Sequence, residues 1–163
     1  MGIKERNRNI VISRWNKIHK KEEELFKTGP KFFFLKARIC GYLAGDGTVM
    51  VRKKTSGGHY YIKFYPDHLS LVNPFIEAFQ TIYNKKPKVK KLRNFFEIVC
   101  HSKPIVEDLL KTSKFGVLKW RAPYKILIDL KSKREWLKAI FDCESYVGKK
   151  YIKFQSVNKY GVK

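Results

Sequence analysis

Two short runs in the chain each end a stretch of small and apolar residues in an acid. Ile39-Cys40-Gly41-Tyr42-Leu43-Ala44-Gly45-Asp46-Gly47 leads to Asp46, and Leu137-Lys138-Ala139-Ile140-Phe141-Asp142-Cys143-Glu144-Ser145 leads to Glu144. On a helix, Gly41 and Gly45 fall on one face, as do Ala139 and Cys143. A helical glycine costs about 1 kcal/mol against alanine when the helix stands alone, so such a face implies close approach of a second backbone. Two helices packed through matching small-residue faces bring Asp46 and Glu144 together at their C-terminal ends. Each carboxylate then lies at the negative end of a helix dipole and beside a like charge. A divalent cation that prefers hard oxygen ligands, Mg²⁺ or Mn²⁺, resolves the conflict. Held between two carboxylates, it can activate water and stabilise the leaving oxygen of a phosphodiester. The plain alternative is a glycine cap beside Asp46 and an incidental acid at Glu144.

These runs need elements that position them. Phe32 to Leu43 reads as an apolar helix. Thr48 to Lys54 alternates, Thr55 to Gly58 supplies a loop and Tyr60 to Tyr65 alternates again, which is a hairpin. A helix follows to about Tyr83, capped by Asn73 with Pro74 as its first residue, or else starting near His68 with a kink. Lys88 to Leu92 and Phe95 to Cys100 form a second hairpin about Arg93-Asn94, and Ser102 can cap a helix through Leu110. A mixed connector from Ser113 to Leu130 contains Gly116 and Pro123. Ser132 then opens a capping box with Glu135, and the helix runs through Trp136, Leu137, Ile140 and Phe141. Tyr151-Ile152-Lys153-Phe154-Gln155 nearly repeats Tyr61-Ile62-Lys63-Phe64-Tyr65, so the chain contains an internal repeat. Residues 1–31 are charged and include a helix around Ile10 to Phe26, a candidate DNA-contacting arm.

Composition narrows the partner. The chain has 163 residues, enough for one ordinary core, and 36 Lys and Arg against 14 Asp and Glu leave a net charge of +22. That excess repels itself and is usually retained because a polyanion neutralises it. Nucleic acid is the favoured partner. A ribosome-associated protein or a Lys-rich solvated surface are the bland alternatives, and a membrane surface fits less well because the basic residues interleave with Tyr and Phe. No apolar stretch suits a bilayer, and residues 1–20 are too charged for a secretory signal. Cys40, Cys100 and Cys143 are an odd number without a CxxC pair, which reads as free thiols. His19, His59, His68 and His101 lack partners at ligand spacing, and there is neither a Gly-rich phosphate loop nor a GxSxG elbow.

No acid lies between Asp46 and Asp67, between Glu77 and Glu97, or after Glu144, and each gap coincides with predicted strands. Alternation points Ile62 and Phe64 to a core and Tyr61, Lys63 and Tyr65 the other way. Tyr151, Lys153 and Gln155 do the same in the copy. Arg52 and Lys54 with Met50, and Lys88 with Lys90, extend this face. Lys and Arg there contact phosphates or guanine edges, and Gln155 could read adenine.

The two acid-ending runs resemble the two LAGLIDADG motifs of monomeric homing endonucleases, with the catalytic acids falling on Asp46 and Glu144. The second run carries Ala139 and Ser145 where glycine is usual. The connector resembles that of the family's archaeal members, in which a Pro-containing stretch leads to a helix ending in Phe-Asp-x-Glu. The resemblance covers about Phe33 to Asn158. It implies an α+β fold of αββαββα repeats whose antiparallel sheets form a saddle on double-stranded DNA, with Mg²⁺ or Mn²⁺ between the acids cutting both strands of a long site. It further implies polar and basic groups around the metal, for which Lys149 and Lys150 are candidates, while Pro66 stands about where the family has a polar group. Residues 1–31 become a basic arm, 32–112 the first repeat, 113–131 the connector and 132–163 the start of an incomplete second repeat. A half saddle exposes apolar strand backs, so a homodimer or a separate chain supplying the remaining half is expected, in a prokaryotic and on this resemblance archaeal cytoplasm. The competing reading keeps the scaffold without cleavage, as an RNA maturase or a decayed endonuclease.

Overall fold

The computed structural model describes residues 3–54, 57–156 and 158, with the side chains of residues 3, 4, 6, 53, 54, 57 and 147 outside the description. The expected loop residues Thr55 and Ser56 and the side chain of Lys54 therefore lie outside the described residues. The chain runs α1 (Ile3–Glu24), a 3-10 turn (Pro30–Phe32), α2 (Phe33–Gly45), β1 (Gly47–Lys54), β2 (Gly57–Phe64), α3 (Leu69–Tyr83), β3 (Lys88–Lys91), β4 (Phe96–His101), α4 (Lys103–Thr112), a second 3-10 turn (Tyr124–Ile126), α5 (Leu130–Glu144), β5 (Ser145–Val147) and β6 (Ile152–Phe154). From α2 to α4 this is the expected helix, strand, strand, helix, strand, strand, helix. Among the described residues no helix is long and apolar enough to cross a membrane.

The first four strands form one antiparallel sheet in the order β1-β2-β4-β3, and β5 and β6 form a separate antiparallel pair. Because successive strand residues point to opposite sides, Ile62, Phe64, Ile98 and Cys100 turn to one face, where all four are buried. They meet Tyr42 of α2 and Leu71, Val72, Phe75 and Phe79 of α3 in one apolar cluster. Phe64 and Phe75 lie 4.8 Å apart between ring centroids, and Tyr42 lies 5.1 Å from Phe64. Lys36 of α2 reaches Asp108 of α4 at 2.8 Å, and the Tyr83 hydroxyl donates to the same carboxylate at 2.9 Å. One acid thus ties α2, α3 and α4.

One helix start settles a choice the sequence left open, and two differ from the sequence reading. α3 begins after His68, whose ring accepts from Ser70 N, and Pro74 lies inside it, so the start near His68 holds and the cap is not Asn73. The proline removes one backbone bond, but starting the helix earlier buries Leu71 and Val72. α5 is capped by Asp129, whose Oδ1 accepts from Ser132 N at 2.7 Å, and not by Ser132. Ser132 is instead buried in the first turn, and Glu135 is engaged by Arg38 on α2. A carboxylate at the helix start gains from both the orphan N–H groups and the dipole. α1 runs from Ile3 and not from about Ile10. Its C-terminal end is fastened by Glu22, which takes Lys85 at 2.6 Å and the Ser102 hydroxyl at 2.8 Å, and the segment after it by Lys27 N donating to Ile82 O. Val11, Trp15 and Ile18 are exposed on its free portion. Ser102 caps α4 as expected, accepting from Ile105 N.

Candidate functional site

The helices that carry the acids lie side by side and point the same way. Lys131 Nζ sits 3.6 Å from the centroid of the Phe34 ring, and Arg38 pairs with Glu135 at 2.6 Å. One turn on, a Cβ built on Gly41 would fall 2.7 Å from Ala139 Cβ and 2.8 Å from Trp136 O. A further turn on, a Cβ on Gly45 would collide with Cys143 Cβ and lie 3.6 Å from Glu144 Cγ. The pairs Phe34 with Lys131, Arg38 with Glu135, Gly41 with Ala139 and Gly45 with Cys143 step along both helices together, so α2 and α5 are parallel. The small residues permit this approach, and the acids follow at adjoining C-terminal ends.

Burial is the main influence raising the pKa of both acids. The Asp46 charge raises Glu144 further. Asp46 is raised by Asp67 as well, while a hydrogen bond with the Cys143 thiol works in the opposite direction. Burial and the Asp46 charge in turn push the Cys143 thiol up. Hard carboxylate oxygens, partly withdrawn from water at two negative helix ends, suit a small divalent cation. Among the described residues no three His, Cys, Asp or Glu side chains form a metal-binding group.

The turns after the two acids are alike without being identical in sequence. Tyr65 N donates to Asp46 O at 3.0 Å, and Gln155 N donates to Glu144 O at 3.0 Å. Gly47 pairs with Phe64, Thr48 with Lys63 and Val49 with Ile62; Ser145 pairs with Phe154, Tyr146 with Lys153 and Val147 with Ile152. The internal repeat therefore extends to the main-chain ladder. Gly47 is not a left-handed cap, as positive φ among described glycines is confined to Gly29 and Gly116. A side chain there would instead strike Leu43, its Cβ lying 2.5 Å from Leu43 Cα. Ser145, at φ −111, needs no glycine, and its hydroxyl donates to Phe141 O.

The outward face of the four-stranded sheet carries Thr48, Met50 and Arg52 on β1, His59, Tyr61 and Lys63 on β2, Glu97, Val99 and His101 on β4, and Lys88 and Lys90 on β3. The Tyr61 hydroxyl donates to Met50 Sδ at 2.7 Å. Tyr65 follows β2, exposed, with Lys63 Nζ 5.9 Å from its ring centroid. Lys88 and Lys90 are exposed, as are Lys153 and Gln155 beyond the seam. Lys63 is different: it pairs with Glu97 at 2.7 Å, and both side chains are about a quarter to a third exposed. The Glu97 partner holds the Lys63 pKa above its ordinary value. A pair this open is worth at most about 1 kcal/mol. Lys149 and Lys150 lie in the turn between β5 and β6, at the far end of the hairpin from Glu144, and the structure does not bring them to the acids.

Two residues of this site escape the sequence reading: Asp67 directly follows Pro66 and acts on Asp46, and Glu97 sits on the basic face. Cys143, read from sequence as a small packing residue, also acts on Asp46. Strand parity in Phe96–His101 is the signal that places Glu97 outward.

The helix seam, the acid pair and the antiparallel sheet define a LAGLIDADG homing-endonuclease fold. Solved structures similar to this chain include those of the homing endonuclease I-DmoI. Its mesophilic variants match at 15% identity and a TM-score of 0.56, over 71% of this chain and 64% of that one. A variant in complex with its target DNA in the presence of Mn matches at 16% identity and 0.61, over 78% and 69%; another with target DNA and Mg matches at 16% and 0.61, over 80% and 72%. The chain thus spans about two thirds of the length of the structures it matches. No family model matches the sequence, and no curated protein does.

Proposed function

We propose that the chain is a site-specific DNA endonuclease that hydrolyses phosphodiester bonds with Mg²⁺. The observation that carries this reading is the parallel α2–α5 seam, which sets Asp46 and Glu144 side by side at two helix C-termini. Asp46 and Glu144 would hold the ion, which when bound supplies water activation and charge neutralisation at the leaving oxygen. The rest falls to the chain itself. Gly41 and Gly45 keep the helices close enough for one site, the Cys143 hydrogen bond orients the Asp46 carboxylate, and the bonds from Tyr65 N and Gln155 N fix the peptides of both acids to the hairpins. Arg52, Lys88, Lys90 and Lys153 would meet phosphates, with Lys149 and Lys150 as further contacts and Tyr61, Tyr65 and Gln155 offering groups to base edges. The similar I-DmoI structures were captured on target DNA with Mn or Mg, which supports both the substrate and the metal class.

The test is selection of a preferred duplex from a random DNA pool, followed by incubation with Mg²⁺, Mn²⁺ or EDTA. Cleavage at a defined position that requires the metal is expected; intact DNA under all three conditions overturns the enzyme reading. A second reading, a binder that does not cut, is favoured by the distance of Lys149 and Lys150 from the acids. Ile152 is 64% exposed whereas Ile62, at the same rung of the other hairpin, is 2% exposed. That contrast supports a second copy or a separate chain covering β6, which sedimentation with and without DNA would reveal.

A further inference from the structure

An acid on a face that meets DNA is repelled by phosphate, so Glu97 needs a role that repulsion does not cancel. Glu97 lies opposite Lys90 in the β3–β4 register, yet its carboxylate takes the Lys63 ammonium of β2 at 2.7 Å. The two side chains stand on the outward face, partly open to solvent. They present a donor and an acceptor side by side, one hydrogen-bond length apart.

A base pair in the major groove presents the same motif in mirror form. In G·C, guanine offers N7 and O6 as acceptors and cytosine offers its N4 amino group as donor. O6 and N4 are themselves hydrogen-bonded, and so lie about 2.9 Å apart. An ammonium and a carboxylate at that separation can face them together, Lys63 donating to O6 and N7 while Glu97 accepts from N4. In A·T the donor is the adenine amino group, flanked by adenine N7 and thymine O4, both acceptors. The carboxylate would then sit between two lone pairs, and the ammonium would keep one acceptor in place of two. We infer that Lys63 and Glu97 act as one unit that reads a single G·C pair, with guanine on the Lys63 side. This rests on the reading of the chain as a site-specific DNA enzyme and adds two specificity-determining residues and the base pair they recognise.

The experiment uses the full chain and Ca²⁺ in place of Mg²⁺, so that binding is measured without cutting. Wild type, Glu97→Ala and the exchange variant Lys63→Glu with Glu97→Lys each select from a random duplex pool, and the selected position preferences are compared. The wild type is expected to require G·C at one position. Glu97→Ala, which removes the acceptor, should relax that requirement by about tenfold or more, the range for losing a hydrogen bond to a charged group, and leave other positions unchanged. The exchange variant should prefer C·G there. Thermal melts confirm that both variants fold. If Glu97→Ala binds all duplexes more tightly with an unaltered profile, Glu97 only restrains Lys63 and the inference falls. If the wild type selects no sequence at all, the site-specific reading itself falls, and the inference with it.

Discussion

The two hairpins begin from the same base and end in different surroundings. β1–β2 and β5–β6 share three rungs of register, the same bond from the returning strand to the acid's carbonyl, and the same Ile-Lys-Phe order. In the first, Ile62 and Phe64 are covered by α2 and α3 and disappear from solvent. In the second, Phe154 is half-buried, 5.0 Å from the Phe141 ring, and Ile152 remains exposed. A strand pattern therefore specifies which side chains face a core, while the elements packed behind the strand decide whether that core exists.

The sharpest test of this parallel is chemical. Asp46→Asn and Glu144→Gln should each abolish metal-dependent cleavage while leaving DNA affinity unchanged or higher. A variant at Glu144 that still cuts both strands would show that the second copy is structural. Stability should separate the copies next. Phe64→Ala is expected to cost about 3–5 kcal/mol and Phe154→Ala only about 1–2 kcal/mol, measured by urea denaturation; equal losses would mean that Phe154 is covered in solution. Gly41→Ala should cost about 1–3 kcal/mol through overpacking, because the new methyl meets Ala139 and the Trp136 carbonyl. Adding Ala139→Gly should recover part of that loss if the seam is as close as described.

Smaller effects probe charge. Lys153→Gln should make the dependence of log affinity on log salt shallower by about 0.9. Lys63→Gln should change the slope less, since Lys63 is already paired with Glu97, so the double variant falls short of two contacts. Identical slopes for both single variants would show that DNA separates the Lys63 pair. The smallest effect concerns the acids without metal. Their pKa values are raised in the fold, so folding favours their protonated forms, and stability falls as pH rises through the window between the unfolded and folded values. Asp46→Asn should therefore stabilise the metal-free protein near neutral pH by about 0.3–1 kcal/mol, the size of a helix-end charge effect. The gain should vanish below the ordinary carboxylate range.

The seam is legible in the sequence because two independent regularities agree: small residues four apart on each helix and an acid one position beyond. The strands are legible because a half-buried sheet imposes period two. Cap choice is harder, since Ser132 with Glu135 forms a sound local pattern and loses because Asp129 caps the helix earlier while Arg38, distant in sequence, engages Glu135. Glu97 and Asp67 are obscured for a similar reason. Their effects depend on Lys63 and Asp46 across the fold, and local spacing carries no record of such pairs. Lys149 and Lys150 show the converse, being near Glu144 in sequence but separated from it by the length of a strand.

The bond that closes each hairpin onto its acid has a consequence for how such a scaffold can diverge. Tyr65 follows Asp46 by nineteen positions and Gln155 follows Glu144 by eleven, yet both loops are clasped at the same peptide. Each added rung lengthens both strands by one residue beyond the clasp, and the facing of every side chain counted from the base stays as it was. Hairpin tips can thus be lengthened, shortened or exchanged without disturbing the peptides of the two acids. A library of tip variants grafted above Val49 and Ile62 would change which side chains the sheet presents while the geometry of the two acids stays fixed.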